Sequence, residues 1–296
     1  MALQLKTLHA DFGVEISGCD LSKPLDDKDF QAIRDAFFHH SVVVIRDQNL
    51  TAEAQCAFLR RFGTPKIAQR KEFQVPRVPE IGRLGNTKNP DGTPSAFLDR
   101  HGNLWHSDTA SDEQSRILGV TMLYCVKTPE QGGDTTFVSS VNAIKSLPAA
   151  ERATIQKLTV MHNFNKHNDS LLAKNPGSAR PLSAEDRAKW PDREHDIVQI
   201  HPITGEPCLF VTPTLVKKIG AFSEAESEKL AEKLVAHATR PEAVLRHKWR
   251  AGDLVFWDNV ATMHSASPAD YKGGDRLMHR GYAYIDSAQQ SASAAV

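Results

Sequence analysis

His106-Ser-Asp108 places an imidazole and a carboxylate two positions apart, directly after Leu104-Trp105. In an extended segment, residues i and i+2 point to the same side, so both groups can converge on one metal ion. A second histidine from elsewhere would complete a two-histidine, one-carboxylate face. That donor set leaves coordination positions open and suits a non-haem iron(II) oxygenase. His264, which follows Leu254-Val-Phe-Trp-Asp-Asn259, is the leading third ligand. His247 and His279 meet the same requirement on spacing alone. The short pattern also recurs as His9–Asp11 and His167–Asp169, in stretches where solvated surface roles suffice. A second signal is Arg276-Leu-Met-His-Arg280. Four positions apart on a strand lie on one face. Arginine keeps its charge when partly buried and pairs bidentately with carboxylates, so two inward arginines imply two anions or the two ends of a dianion. Surface ion pairing is the plainer alternative.

These residues need a frame. Ser41-Val-Val-Val-Ile45 is β-branched and bounded by polar residues, which predicts a buried strand. Leu25, Phe30, Ile33 and Phe37 mark a helical face before it. Thr51 caps a short helix after it, ended by Gly63 and Pro65. Residues 64–104 are rich in Pro, Gly, Asn and charge and read as irregular, with one short strand at 80–85. So long a loop in a compact protein is commonly functional, which makes it a candidate lid. Strands are expected at Arg116–Val126 and Thr135–Val138, around a Gly132-Gly-Asp turn. Residues 142–158 read as mostly helical, and 163–195 as a polar excursion. Ile197–Ile200 and Cys208–Val211 suggest two more strands. Ser223 and Glu226 form a capping box. Leu245–Trp249 and Asp253–Trp257 read as a hairpin, and Gly281–Ile285 as the last strand. Short strands without regularly interposed helices favour an antiparallel barrel or sandwich with helical decoration.

The 296 residues carry 36 Lys plus Arg against 36 Asp plus Glu. Zero net charge gives no reason to expect a nucleic-acid partner. No apolar run approaches the roughly 20 residues that span a bilayer. No export signal is evident, so the expected location is cytoplasmic. The four scattered cysteines form no CxxC and no disulfide scaffold. GxGxxG and GxxxxGK[ST] are absent, which weakens nucleotide-binding readings. The length suits a single domain over 1–286 with a long insertion at about 64–104 and a flexible tail at 287–296.

Leu104-Trp-His-Ser-Asp-Thr109, Gly132-Gly-Asp-Thr135 and Gly252-Asp-Leu-Val-Phe-Trp-Asp-Asn259, followed by His264 and the two arginines, together resemble the TauD/TfdA family. These are the taurine and 2,4-dichlorophenoxyacetate dioxygenases, which depend on Fe(II) and 2-oxoglutarate. The likeness runs from Gly13 to about Ile285 and includes Ser41-Val-Val-Val-Ile-Arg46 and Phe58-Leu-Arg-Arg-Phe-Gly63. It implies a mainly β fold with flanking helices, a double-stranded β-helix (jelly-roll, cupin-like). It also implies His106, Asp108 and His264 as iron ligands, and Thr135 and Arg276 as the pair holding the distal carboxylate of 2-oxoglutarate. Arg280 becomes a second inward arginine, near the substrate anion or the cosubstrate C1 carboxylate. The interval from His264 to Arg276 is one residue longer than in relatives, an insertion that Gly273-Gly274 would absorb.

With O2 as the second cosubstrate, the implied reaction is decarboxylation of 2-oxoglutarate to succinate coupled to hydroxylation of a substrate C–H. Next to an ether oxygen this releases a phenol and an oxoacid; next to a sulfonate it releases sulfite. Lys71 matches a substrate-carboxylate lysine of the aryloxyacetate branch, with Arg70 beside it. The taurine-like branch carries a polar residue where this chain has Gly102, with Asn103 next, which argues against taurine itself. A small anionic organic acid with an apolar body, of the aryloxyalkanoate kind, fits best. Phe73, Phe97 and Leu98 are available for apolar contacts. An alkylsulfonate dioxygenase and a non-catalytic organic-acid-binding jelly-roll are the alternatives, and a homo-oligomer is left open.

Overall fold

A computed structural model describes residues 2–98, 104–174, 181–267 and 274–285. Two sheets face one another. The larger has nine strands, ordered Gln4–Thr7, Val14–Ser17, Val42–Ile45, Leu254–Asp258, Gly119–Lys127, Leu277–Tyr284, Val78–Gly85 and Gln74–Val75, with Thr64–Pro65 also paired to Leu277–Tyr284. Its pairings are antiparallel except for Val14–Ser17 beside Val42–Ile45. The opposing sheet is Leu245–His247, Thr135–Ser139 and Thr262–Ala266. This is the sandwich of a jelly-roll, and its mainly β character with flanking helices agrees with the sequence.

Alternation along each strand sorts the side chains between two cores. Val43, Ile45, Met122, Tyr124 and Phe256 pack against Phe30, Ile33, Phe37, Phe58 and Phe62, which belong to helices Asp27–His40 and Ala52–Arg60 or follow them directly. Val42, Val44, Leu123, Cys125, Trp257 and Met278 face the small sheet and meet Phe137 and Leu245. The larger sheet is therefore covered on both faces, which explains why Val42–Ile45 shows no polar alternation. A third cluster joins the back of the small sheet, through Val138 and Met263, to helix Glu224–Ala238 and its neighbours.

Local signals were read well where a side chain sets a boundary. Thr51 accepts from the Ala54 N–H, and Ser223 and Glu226 form the reciprocal box. Several longer readings are corrected. Leu245–His247 and Leu254–Asp258 are not a hairpin. Leu245 pairs with Phe137 in the small sheet, whereas Leu254 lies between Ile45 and Tyr124 in the large one. The chain crosses between sheets through Gly252, whose φ of +88° and close approach to the Gln48 carbonyl exclude a side chain. Residues 142–158 form two helices, Ser140–Ser146 and Ala149–Ile155, separated at Leu147–Pro148 because proline removes a donor and restricts the residue before it. The described part of the 64–104 segment, residues 64–98 and 104, holds more order than expected, including an eight-residue strand, Val78–Gly85. The 163–195 excursion contains helices Phe164–Lys174 and Ala184–Ala188. The proposed tail at 287–296 lies outside the described residues. Among the described residues no helix is long and apolar enough to cross a membrane, and the four cysteines are free.

Candidate metal centre and cavity

His106 and His264 meet as a backbone pair. Each donates its N–H to the other's carbonyl, at 3.0 and 2.9 Å, and their ring centroids lie 4.2 Å apart. Strand Thr262–Ala266 carries His264 against Trp257 and Phe137. Ser107 turns the other way. Its N–H donates to Thr212 Oγ1 and its hydroxyl to the Asn259 carbonyl, which leaves residues 106 and 108 facing the cluster.

Asp108 completes the set. One carboxylate oxygen accepts from Thr121 Oγ1 at 2.6 Å and the other from Arg280 at 2.9 Å. Asn259 Nδ2 donates to the same Thr121 hydroxyl at 2.9 Å. Each histidine Nε2 stands 3.9 Å from an Asp108 oxygen. That is too long for a hydrogen bond and short enough for one ion to bond both atoms at about 2 Å. The three ligand atoms lie within 4.8 Å of one another.

The protonation chemistry fits a cation. Burial is the largest single influence on Asp108 and would raise its pKa, but the Arg280 guanidinium, the two histidines and the Thr121 hydroxyl together outweigh it and hold the carboxyl well below its usual range. Burial is the main cause that pushes His264 down to about 3, so its imidazole is neutral at pH 7. His106 Nδ1 contacts the Leu104 carbonyl at 2.6 Å, which assigns the proton there and leaves Nε2 as a lone-pair donor. His264 Nδ1 is buried without a partner among the described residues. Neutral imidazoles and an ionised carboxylate are the forms that bind metal.

The alternatives on spacing do not join this cluster. His247 contacts Asp253, and His279 is held on the opposite face of its strand, beside Tyr124. His9 touches the Glu242 carbonyl. Asp169 pairs with Arg187.

A cavity of about 750 Å³ opens over the cluster. Arg276, Arg280 and Thr135 line it together with His106, Asp108 and His264. Arg276 lies just before strand Leu277–Tyr284, next to a register shift, and its N–H is held by Asn86. Thr135 Oγ1 accepts from Trp249 Nε1 at 3.0 Å, which leaves the threonine hydroxyl proton free to donate elsewhere. Arg70 lines the cavity with its guanidinium 3.8 Å above the Phe97 ring. Lys71 is exposed and does not line it. Asn103 lies outside the described residues.

Sequence reasoning missed several groups. Thr121 carries no motif, and nothing in the Gly252–Asn259 stretch marks Asn259 as the residue that bonds it. Phe164 and Trp190, 5.0 Å apart, add an aromatic wall from the 163–195 segment. Lys66, Asp112 and Tyr282 form a polar end of the cavity. Only the aromatic content of that segment offered a signal.

The family model for "Taurine catabolism dioxygenase TauD, TfdA family" matches residues 4–282. The chain is 31% identical to an alpha-ketoglutarate-dependent sulfate ester dioxygenase of Pseudomonas putida, over 95% of this chain and 89% of that one. It is 30% identical to the alpha-ketoglutarate-dependent 2,4-dichlorophenoxyacetate dioxygenase of Cupriavidus pinatubonensis, over 89% and 92%. It superposes on the crystal structure of AAD-2 in complex with Mn(II) and N-oxalylglycine with a TM-score of 0.78, at 28% identity, covering 97% of this chain and 99% of that one. These relatives overturn the non-catalytic alternative. The chain belongs to the TauD/TfdA family and is an Fe(II)- and 2-oxoglutarate-dependent dioxygenase.

Proposed function

We propose that this dioxygenase hydroxylates a small organic anion with an apolar body, of the aryloxyalkanoate kind, at the carbon next to the ether oxygen. The observation that carries the reading is the composition of one cavity. It joins the His106–Asp108–His264 cluster to two aromatic pairs, Phe73–Phe97 and Phe164–Trp190, and to cationic side chains beyond those needed for 2-oxoglutarate.

In this reading His106, Asp108 and His264 hold the iron and leave its other positions to cosubstrate and oxygen. Bound iron and 2-oxoglutarate supply the oxidising power that converts C–H to C–OH. Arg276 and the Thr135 hydroxyl receive the distal carboxylate of 2-oxoglutarate. Trp249 fixes the Thr135 oxygen, so its proton is aimed rather than free to rotate. Arg280 balances the buried Asp108 charge and would serve the cosubstrate C1 carboxylate or the substrate anion. The aromatic pairs exclude water from the reacting carbon and bound the substrate body, with Arg70 the contact for its anion among the residues nominated from sequence that line the cavity. Hydroxylation beside an ether oxygen leaves a carbon that fragments to a phenol and an oxoacid.

A sulfate ester is the second reading, favoured by the 31% identity to the sulfate ester dioxygenase. An alkylsulfonate remains the third. Aryloxyacetates, aryloxypropionates, alkyl sulfates and alkylsulfonates should be compared by substrate-dependent succinate and by product. Phenol release from the aryloxy acids with the highest kcat/KM is the expected result. Turnover confined to sulfates or sulfonates would overturn the aryloxyalkanoate assignment.

A further inference from the structure

Strand Leu277–Tyr284 presents its even-numbered side chains to the cavity side. Met278 packs in the inner core, Arg280 reaches Asp108, and Tyr282 lines the cavity. Arg276 stands at one end of this row. Successive inward positions are about 6.7 Å apart, so the row spaces charge stations along the cavity. Arg276 serves the distal carboxylate of 2-oxoglutarate, and Arg280 serves the metal end. Beyond Arg280, on the side away from Arg276, lies a third cation with no role in holding iron or cosubstrate.

That cation is Lys66. Its backbone N–H is held by the Tyr282 carbonyl at 2.8 Å, directly after the short strand Thr64–Pro65. Its ammonium lies 5.7 Å from the Tyr282 ring centroid and 5.3 Å from that of Tyr284. The platform is fixed, because the Tyr282 hydroxyl fits only where Gly119 has no side chain; a Cβ there would come within 2.1 Å of it. Asp112 is the acidic partner, at 3.3 Å. This is longer than the 2.7–2.9 Å of a strong charge-assisted bond. The other acids lining the cavity are more tightly engaged, Asp108 by Arg280 and Glu80 by Arg60. Lys66 thus has a counter-ion at a long 3.3 Å that shares the Tyr284 hydroxyl with it, a half-buried ammonium and an approach from the cavity.

We propose that Lys66 is the specificity residue that binds the anionic end of the substrate, and that Asp112 is a resident counter-ion which the substrate displaces. Lys66 then takes the role that sequence similarity assigned to Lys71, which lies outside the cavity lining. The inference rests on the reading of an anionic substrate. The ligand chemistry is a carboxylate, sulfonate or sulfate monoanion attached to an apolar body. The ammonium lies over two aromatic faces, so the anion is held by charge and the first carbons beside it by ring contact.

The test compares phenoxyacetate, hexyl sulfate and the neutral phenoxyacetamide on the Fe(II)- and 2-oxoglutarate-loaded enzyme. Three variants are used: Lys66→Met, Lys66→Arg and Asp112→Asn. Lys66→Met should raise KM for the preferred anion by about 10- to 100-fold, as loss of a charge-assisted contact entails, and abolish its preference over the amide. KM for 2-oxoglutarate should stay within twofold, and Lys66→Arg should restore most of the preference. Asp112→Asn has the opposite sign: removing the competitor should lower KM for the anion. A merely structural Lys66–Asp112 pair would make both single variants worse. If the preference survives Lys66→Met, or Asp112→Asn weakens the anion as Lys66→Met does, the Lys66 assignment is overturned. If wild type itself shows no preference for either anion over the amide, the anionic-substrate reading fails, and Lys66 with it.

Discussion

Thr121 is the informative place to perturb the metal centre, because it is one step removed from the ion. Its hydroxyl donates to Asp108 at 2.6 Å and accepts from Asn259 at 2.9 Å, and the residue is fully buried. Thr121→Val keeps the shape and removes the hydroxyl, and no water can enter to replace it. A hydrogen bond to a charged group is worth about 1.5–3 kcal/mol. Arg280 still keeps Asp108 ionised, so the loss falls on carboxylate orientation, where removal of such a support costs about 10- to 100-fold in metal affinity. Anaerobic Fe(II) titration in the presence of 2-oxoglutarate, read from the visible charge-transfer band, measures it. The Thr121→Val midpoint should move by at least about tenfold, while Thr121→Ser stays within about threefold because only a methyl is lost. A Thr121→Val midpoint within twofold of wild type would refute the claim that this hydroxyl orients Asp108.

Other expectations concern separate parts of the site. Asp108→Ala should abolish both the band and succinate formation; normal succinate in that variant would remove it from the ligand set. Arg276→Gln should raise KM for 2-oxoglutarate about 10- to 100-fold while Fe(II) binding alone changes little, as isothermal titration would show. Trp190→Ala should raise KM for bulky aryl substrates and leave KM for 2-oxoglutarate unchanged; an equal rise in both would mean the wall acts through the fold. Acid should destabilise the protein through His162 and His195. Both are buried, and burial holds both below the usual histidine value. The folded state therefore binds fewer protons than the unfolded chain once pH falls below about 6.5; His162, pushed down to about 3, costs up to about 1.4 kcal/mol per pH unit there, and His195 adds in the same direction. Urea midpoints should drop from pH 7 to pH 5, and His162→Gln should flatten that slope.

Chemistry in this chain was legible where one short segment carries it. His106-Ser-Asp108 displays its own i, i+2 geometry, and Thr51 and Ser223 announce helix starts through side chains that satisfy orphan N–H groups. What was hidden depends on partners distant in sequence. Leu245 and Leu254 both read as strand residues, but nothing in their pattern says that one joins Phe137 and the other joins Ile45. Thr121 looks like any strand threonine until Asn259 and Asp108 are brought to it. Trp190 sits in a stretch whose polar composition masks the face it turns to Phe164. Lys71 shows a further limit: a matching position in a likeness does not say whether a side chain lines the cavity, and this one does not.

The reciprocal backbone bonds between His106 and His264 join segments more than half the chain apart. An ion held by both imidazoles would fasten the same two segments again, now through coordinate bonds. Iron would then act as a removable cross-link, restricting a long loop of the unfolded ensemble much as a disulfide does. Loading the enzyme should therefore slow amide exchange and proteolysis across both segments, so that a catalytic ion doubles as a folding staple whose grip is set by the supply of metal.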